Sequence, residues 1–174
     1  PPPAASLEGA GAVIHLAGET VSQRWTPSAK RRIRDSRIIG TARLVEAIGS
    51  LGQKPSVLVC ASATGIYGDR GDETLAEDAA PGSGFLAEVC AEWERAAAAA
   101  SAFGVRVVYL RLAMVLGREG GALAQMLLPF EWGLGARIAT GTQWMSWIHA
   151  EDAVSLILFA VAEGRLGGVV NAAA

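Results

Sequence analysis

The chain is poor in several features that would assign it to well-defined classes. Its two cysteines, Cys60 and Cys90, have neither metal-ligand spacing nor the density of a disulfide framework, so we expect a reducing, cytoplasmic location. No stretch approaches the ~20 apolar residues that cross a bilayer, and the opening residues lack the pattern of a secretory signal. With a formal net charge of −2, the chain is not a polycation. We therefore expect neither nucleic acid nor a membrane as a partner, and no metal site.

The glycine fingerprint of dinucleotide-binding folds, G-x-G-x-x-G, is also missing. In such folds it lets a pyrophosphate approach the amino end of a helix. The nearest approach, at Gly117, Gly120 and Gly121, follows a late strand and has different spacing. We interpret it as a plain turn.

Two apolar runs that end in small residues are the most informative feature present. They span Ala12–Thr20 and Val57–Asp69. Runs rich in Val, Ile and Leu are typical of strands buried on both faces of a parallel sheet. Small residues after such strands leave room for a flat ligand at the carboxyl edge, where open α/β folds bind nucleotides. The two runs therefore predict a dinucleotide-binding fold.

Helices and strands alternate along the rest of the chain. We expect strands beginning at Ala12, Val57 and Val105 to run side by side in the same direction, followed by a last strand over 169–171. The helical spacing of apolar residues predicts helices over 27–48, 84–102, 122–130 and 151–163.

Composition supports a single folded unit. The chain has 174 residues, of which 51% are hydrophobic, and this is enough for one substantial core. Residues 1–11 are interpreted as a tail or linker, and we expect one domain over 12–174. The predicted fold class is α/β, with a doubly wound parallel sheet.

Several segments taken together resemble one family, the epimerase-like, atypical extended short-chain dehydrogenase/reductases. The segments are HLAGE at 15–19, SRIIGTARLVEAI at 36–48, SATGIYGDRGDE at 62–73, FLAEVCAEWE at 85–94, RLAMVLGREGGAL at 111–123, LLPFEWGLGARIATGTQWMSWIHAEDAV at 127–154 and GVVNAAA at 168–174. The most specific patterns among them are PF-x-x-GLG and QWMSWIH-x-x-D. The resemblance covers nearly the whole chain from Ala12 onward.

The resemblance implies a partial Rossmann-like domain that binds NADP or NAD and a small-molecule substrate. It places the first three strands, the glycine fingerprint and the ribose-selecting residue before Pro1, and a substrate-lid region after Ala174. The chain then corresponds to the later strands of an extended short-chain dehydrogenase fold. We expect such a fragment to fold poorly or aggregate alone, because losing the central strand exposes sheet edges. Many relatives pair through two long helices, so a homodimer is also expected.

The resemblance further implies an atypical active site. The usual relay pairs a Tyr with a Lys four residues later, whose charge lowers the pKa of the Tyr. At the matching positions this chain has Leu86 and Cys90, and Arg37 stands where an Asn often completes the relay. The upstream Ser is best matched by Ser62, with Thr64 as a rival because of an apparent one-residue insertion. The catalytic candidates are therefore Ser62, Arg37 and Cys90.

Binding roles are expected at the carboxyl edge of the sheet. The residues placed beside the adenosine half of the cofactor are Leu16, Ala17 and Gly18. The residues expected to flank the nicotinamide are Ala61, Ala63, Leu112, Ala113 and Met114. The residues expected to contact the substrate are Tyr67, Gln143, Trp147 and His149.

Plainer interpretations stay open for several candidates. Cys90 could be inert core on an apolar helix face, and Ser62 a strand-end hydroxyl satisfied by backbone. Arg37 could be a surface charge or could hold a phosphate or carboxylate. A nearby carboxylate could satisfy His149.

The leading functional hypothesis is an NAD(P)-dependent oxidoreductase or epimerase-like protein whose substrate is unknown. The missing relay motivates an alternative, a dinucleotide-binding sensor or interaction protein without catalysis. Hydrolysis by Ser62, His149 and Asp152 is disfavoured, because no G-x-S-x-G elbow surrounds Ser62.

Overall fold

The structure is a computed structural model that describes residues 4–118, 120–137 and 140–174. The described strands are β1 (Ala12–His15), β2 (Val57–Ala63), β3 (Arg106–Leu112), β4 (Met114–Gly117), β5 (Trp147–His149) and β6 (Gly168–Ala172). The α-helices are α1 (Pro27–Ser50), α2 (Phe85–Ala98), α3 (Gly121–Glu131) and α4 (Ala150–Ala162). Short 3-10 turns lie at Ala4–Ser6, Thr64–Tyr67 and Ala99–Phe103.

A four-stranded parallel sheet in the order β1-β2-β3-β6 forms the centre of the molecule. Val59 is the register partner of Ile14 on one side and of Val108 on the other, and Tyr109 pairs with Val169 of β6. The three strands expected to run side by side in one direction do so. β4 and β5 pair in parallel as a separate two-stranded sheet. The predicted α/β fold class with a parallel sheet is confirmed.

Helices cover both faces of the sheet, and β2 is buried on both sides. Leu58 and Cys60 belong to a core cluster that includes Trp93 of α2. Val57 and Val59 pack in a second cluster with Ala160 of α4. Successive side chains of a strand point to opposite faces. An unbroken apolar run is therefore what a strand between two helical layers requires.

The start of α1 lies where the sequence predicts it. The Thr26 hydroxyl accepts a hydrogen bond of 3.2 Å from the backbone N–H of Ala29, and Pro27 occupies the first turn. The helix continues slightly past its expected end, to Ser50, before Leu51 returns to extended backbone.

The boundaries of α2 differ from those expected. Gly84, expected to be the first helical residue, occupies the cap position instead, with a φ of 97°. Glycine tolerates this backbone geometry because it has no Cβ. The expected single helix to residue 102 ends at Ala98, and the 3-10 turn Ala99–Phe103 leads into Gly104, with a φ of 77°. A Gly in the left-handed region ends a helix in this way.

β1 lies at an exposed edge of the sheet. Within the described residues it pairs with β2 alone. Ile14 of β1 is 45% exposed, and Val154 and Leu158 of α4 are 55% and 60% exposed. Exposed apolar side chains beside an open sheet edge favour aggregation. That the chain folds poorly alone stays a prediction.

In the part of the chain that the structure describes, no helix has both the length and the apolar character needed to cross a membrane.

Candidate functional site

A cleft of about 1040 Å³ opens beyond the carboxyl end of β2. Its walls are the turn after β2 (Thr64–Tyr67), the acidic loop that follows it (residues 68–84), the segment before β5 (residues 142–146) and the end of the chain after β6. The residues that line it are Thr64, Gly65, Tyr67, 68–75, 142–147, Asn171, Ala173 and Ala174. In open α/β folds, ligands bind outside the carboxyl ends of the strands. The position of the cleft therefore makes it the candidate substrate site.

Two contacts join the opposite walls of the cleft. The indole N–H of Trp144 donates a hydrogen bond of 2.6 Å to a carboxylate oxygen of Asp72. The hydroxyl oxygens of Thr64 and Ser146 lie 3.2 Å apart, within hydrogen-bond distance. The acidic loop and the segment before β5 therefore sit face to face. Of the expected substrate contacts, Gln143 and Trp147 lie on the segment side of the cleft.

Tyr67 also lines the cleft, but its side chain is almost fully buried. The phenol donates a hydrogen bond of 2.6 Å to the side-chain oxygen of Asn171 on β6. It accepts one of 2.8 Å from a guanidinium nitrogen of Arg111 on β3. The structure therefore brings Tyr67 to the predicted site as part of a wall, with its hydroxyl bound to other protein groups.

Ser62, the first catalytic candidate, does not line the cleft. It is 3% exposed, and its hydroxyl donates a hydrogen bond of 2.7 Å to the Glu94 carboxylate on α2. The physical reason is that β2 continues through Ala63. Ser62 therefore shares the α2 face with Leu58 and Cys60. Of the two hydroxyls that the sequence left open, Thr64 is the one at the cleft.

Glu94 and Arg111 form a buried ion pair that sequence reasoning missed. Two guanidinium nitrogens of Arg111 donate to the two Glu94 oxygens over 2.9 and 3.0 Å. Hydrogen bonding to Glu94 raises the pKa of Arg111. A signal was available, because Arg111 interrupts the apolar strand run. A buried charge needs a partner, although the sequence did not say which one.

Arg37, the second catalytic candidate, lies against the loop after β1. Its guanidinium donates to the backbone oxygens of Glu19 and Ile33 over 2.9 and 3.1 Å, and it lies 5.1 Å from the ring centroid of Trp93. Burial lowers its pKa. A Cβ built on Gly18 would come within 3.0 Å of the guanidinium carbon. Arg37 therefore anchors this loop, and Gly18 leaves the space for it.

Cys90, the third candidate, is buried on α2. It packs in a cluster with Ile66 and Tyr67, and burial raises the pKa of its thiol. Burial also raises the pKa of Cys60, to about 12. A thiol is a nucleophile only as the thiolate. The surroundings of Cys90 therefore favour a protonated thiol and the inert-core interpretation.

His149 caps a helix and does not line the cleft. Its Nδ1 accepts a hydrogen bond of 3.3 Å from the backbone N–H of Glu151, at the start of α4. The expectation was contact with the substrate, with a nearby carboxylate as the plainer alternative, and the partner in the structure is a backbone donor. Free N–H groups at a helix start need such acceptors. The structure gives His149 a local reason to be where it is, away from the predicted substrate site.

The residues expected at the cofactor do gather at one edge of the sheet. Leu16, Ala17 and Gly18 follow β1, Ala61 and Ala63 belong to the end of β2, and Leu112, Ala113 and Met114 span the end of β3 and the start of β4. We call these eight residues the strand-end rim. Most of them are small, and they lie at the carboxyl ends of three neighbouring parallel strands. Leu16, Ala17, Gly18 and Met114 are exposed, whereas Ala61 and Ala113 are buried. Their contact with a cofactor stays a prediction.

The parallel sheet, the helical layers on its faces and the strand-end rim define the Rossmann-like class of nucleotide-binding α/β proteins. The sequence model of the NAD dependent epimerase/dehydratase family matches residues 4–173. The chain belongs to that family.

Named relatives agree with this membership. The chain is 41% identical over 170 residues to the Arabidopsis thaliana "Epimerase family protein SDR39U1 homolog, chloroplastic", with 97% of the chain and 49% of the relative covered. It is 42% identical to the Mycobacterium bovis epimerase family protein Mb2239, with 95% of the chain and 55% of the relative covered. The chain thus spans about half the length of the curated relatives it matches.

Solved structures show the same fold. Human epimerase family protein SDR39U1 (isoform 2), solved with NADPH, matches with a TM-score of 0.88 and 33% identity, over 98% of this chain and 59% of that one. The nucleoside-diphosphate sugar epimerase of Corynebacterium glutamicum matches with a TM-score of 0.88 and 38% identity, over 100% of this chain and 36% of that one.

Proposed function

We propose that the full-length protein containing this chain binds NADP or NAD across the strand-end rim. In this proposal it acts on a small molecule in the neighbouring cleft as an oxidoreductase or epimerase-like enzyme. The observation that carries the proposal is the placement of the rim. Residues assigned to the cofactor from three separate sequence segments meet at one edge of the sheet, beside the cleft beyond β2. Support also comes from the NADPH in the structure of the human relative.

The rim suits a flat ring on chemical grounds. Ala63 is half-buried and has a short side chain that lets a ring approach the backbone, and Met114 adds an exposed apolar contact. Ala61 and Ala113 are buried, and their short side chains keep the strand ends free of bulk. A nicotinamide bound there would supply hydride transfer. The chain's own part is then to seat the ring and to orient the substrate.

Thr64 is the residue we assign to substrate orientation. Its hydroxyl lies at the cleft, where it can donate to a substrate oxygen in place of its contact with Ser146. Trp147 and Gln143 form the facing wall. The identity of the substrate is open in this proposal. UDP-sugars are the probes to begin with, because a 24% identical neighbour, MoeE5, was solved with UDP-glucose and NAD.

The cofactor proposal is tested by titrating the full-length protein with NADPH and NADH. Ala17 is exposed on the rim, so Ala17→Trp fills the adenosine side without disturbing the core. Gln53 is also exposed but lies before β2, at the amino ends of the strands. We expect Ala17→Trp to weaken binding at least about tenfold, roughly 1.4 kcal/mol, and Gln53→Trp to leave it unchanged. Equal affinities in all three proteins would contradict the proposal.

A non-catalytic sensor is a second candidate, and one observation favours it. All three catalytic candidates are occupied or buried: the Ser62 hydroxyl is bound to Glu94, the Arg37 guanidinium to two backbone oxygens, and Cys90 is core. Full-length protein that binds NADPH but turns over neither UDP-glucose nor simple carbonyl compounds would support this candidate. Turnover that is lost in Thr64→Val would support the enzyme.

We also propose a homodimer and a cytoplasmic location. The dimer is proposed for the α1–α2 layer, and light scattering of the full-length protein tests it. The location follows from the two free, buried cysteines, and fractionation of the source cells tests it.

A further inference from the structure

A buried polar network lies behind the cleft and joins three strands to α2. Its members are Ser62, Tyr67, Glu94, Arg111 and Asn171, and we call it the Arg111 network. The side chains of Arg111 and Glu94 are 6% and 14% exposed. Polar groups this deep are costly unless they are fully hydrogen-bonded. A network of this size next to a cleft therefore calls for a role.

Arg111 is the centre of the network. Besides its two bonds to Glu94, one terminal nitrogen donates to the Tyr67 phenol over 2.8 Å and to the backbone oxygen of Glu77 over 3.1 Å. The guanidinium also lies over the Tyr67 ring, 5.0 Å from its centroid. The guanidinium group of an arginine is planar, and its N–H donors point in fixed directions. One side chain thus sets the relative positions of α2, the turn after β2 and the acidic loop.

The network continues to the surface of the cleft. Tyr67 donates to Asn171, and the Asn171 side-chain nitrogen donates to the backbone oxygen of Leu75 over 3.2 Å. The backbone N–H of Asn171 donates to the Glu77 carboxylate over 2.9 Å. Tyr67, Leu75 and Asn171 all line the cleft. One wall of the cleft is therefore built directly on the network.

The network also reaches the strand-end rim. Ser62, held by Glu94, lies between Ala61 and Ala63. Arg111 directly precedes Leu112, and the two strands are in register here, since Ser62 pairs with Arg111. The residues proposed to flank the nicotinamide are thus the chain neighbours of network members. Any shift of the network would move them.

We infer that Arg111 is a positioning residue for the nicotinamide end of the cofactor. Through Glu94 and Tyr67 it fixes the ends of β2 and β3 and the turn Thr64–Tyr67, so that the ring seats on the rim and Thr64 faces the cleft. This inference rests on the proposed function. It adds a role for a residue that touches neither ligand.

Bound NADPH supplies the readout, because its emission reports the surroundings of the nicotinamide ring. The test compares the full-length wild type with Arg111→Lys. This variant keeps the positive charge but loses the planar guanidinium group with its fixed N–H donors. We expect Arg111→Lys to bind NADPH and to lose at least half of the emission enhancement seen with wild type. A role limited to stability would lower the melting temperature and leave this emission unchanged.

Arg106→Lys is the matched control. Arg106 lies at the other end of β3 and donates to the backbone oxygens of Ala160, Val161 and Leu166. Its replacement also removes a guanidinium group from β3, but at the end of the strand that is far from the strand-end rim. We expect a lowered melting temperature with wild-type emission. The same emission loss in both variants would overturn the inference.

Tyr67→Phe decides the case if Arg111→Lys fails to fold. It removes one phenol oxygen, and we expect a smaller emission loss in the same direction. Wild-type emission in NADPH-bound Tyr67→Phe would then overturn the inference, as it would in a folded Arg111→Lys. Failure of the wild-type protein to bind NADPH is a different result, because it removes the proposed function and this inference with it.

Discussion

The Ser62 hydroxyl donates a hydrogen bond of 2.7 Å to the Glu94 carboxylate, on the α2 side of β2. Thr64, two residues further along the chain, lies at the cleft. The two hydroxyls that the sequence offers as alternatives for one catalytic role therefore occupy different environments. One belongs to the core and the other to the candidate site.

Ser62→Ala and Thr64→Val separate these two roles. Ser62→Ala removes a buried hydrogen bond to a charged group, so we expect a loss of about 1.5–3 kcal/mol in the free energy of unfolding. Thr64→Val keeps the shape of a half-buried side chain, and we expect a change below about 0.5 kcal/mol. Urea unfolding of the full-length protein measures both. Equal stability losses, or an unchanged Ser62→Ala, would contradict the assignment.

Glu94→Ala is expected to be far more damaging than the loss of a surface ion pair. It leaves the buried Arg111 charge without its carboxylate, which costs about 3–5 kcal/mol. The control is Glu92→Ala, two residues earlier on α2. It breaks an ion pair with Arg34 in which the Glu92 side chain is 33% exposed and the Arg34 side chain 46% exposed. Such a pair contributes at most about 1 kcal/mol. Similar midpoints of denaturation for the two variants would show that losing Glu94 from the Arg111 network costs no more stability than losing a surface ion pair.

His15 is expected to make the protein less stable at mildly acidic pH. It is buried beside Thr41, 2.8 Å from the threonine hydroxyl, and burial lowers its pKa. The unfolded chain, where the His pKa is about 6.5, then binds the proton more readily than the folded chain does. The stabilisation is present above that value and is lost as pH falls through it toward the lower folded pKa.

The check is the unfolding free energy of wild type and His15→Gln at several pH values from neutral to mildly acidic. Gln places a polar atom near the position of Nε2 but does not titrate. We expect the wild type to lose more stability than the variant as pH falls. Parallel pH profiles would mean that His15 has the same pKa in the folded and unfolded chains.

The thiols of Cys60 and Cys90 are expected to be unreactive in the folded protein. Burial raises the pKa of both, to about 12 for Cys60, so little thiolate forms at pH 8. Iodoacetamide should label neither residue in the native protein and both in urea, as read by mass spectrometry. Fast labelling of Cys90 in the native state would restore it as a nucleophile candidate.

Local patterns were sufficient to predict the main elements of the fold. The apolar runs from Ala12 and Val57 identified buried parallel strands, because a strand between two helical layers has no polar face. The helical spacing of apolar residues predicted α1 from residue 27, where the structure has Thr26 as the cap and Pro27 in the first turn.

The site was harder to predict, because its details depend on a strand end and on distant partners. The continuation of β2 through Ala63 decides that Ser62 faces α2. Glu94 and Arg111 are far apart in sequence, so neither shows its partner locally. His149 was expected to contact the substrate, with a nearby carboxylate as the plainer alternative, whereas its Nδ1 accepts a hydrogen bond from the backbone N–H of Glu151. For Ser62 and His149, tertiary packing or a local cap satisfies a polar group that a motif had marked as functional.

The most direct test of the account is a crystal structure of the full-length protein with NADPH. We predict the nicotinamide ring on the strand-end rim, in contact with Ala61 or Ala63 of β2 and with the Leu112–Met114 segment, and with Thr64 facing the space beside it. A ring bound elsewhere, with the carboxyl ends of β1, β2 and β3 left to solvent, would contradict it.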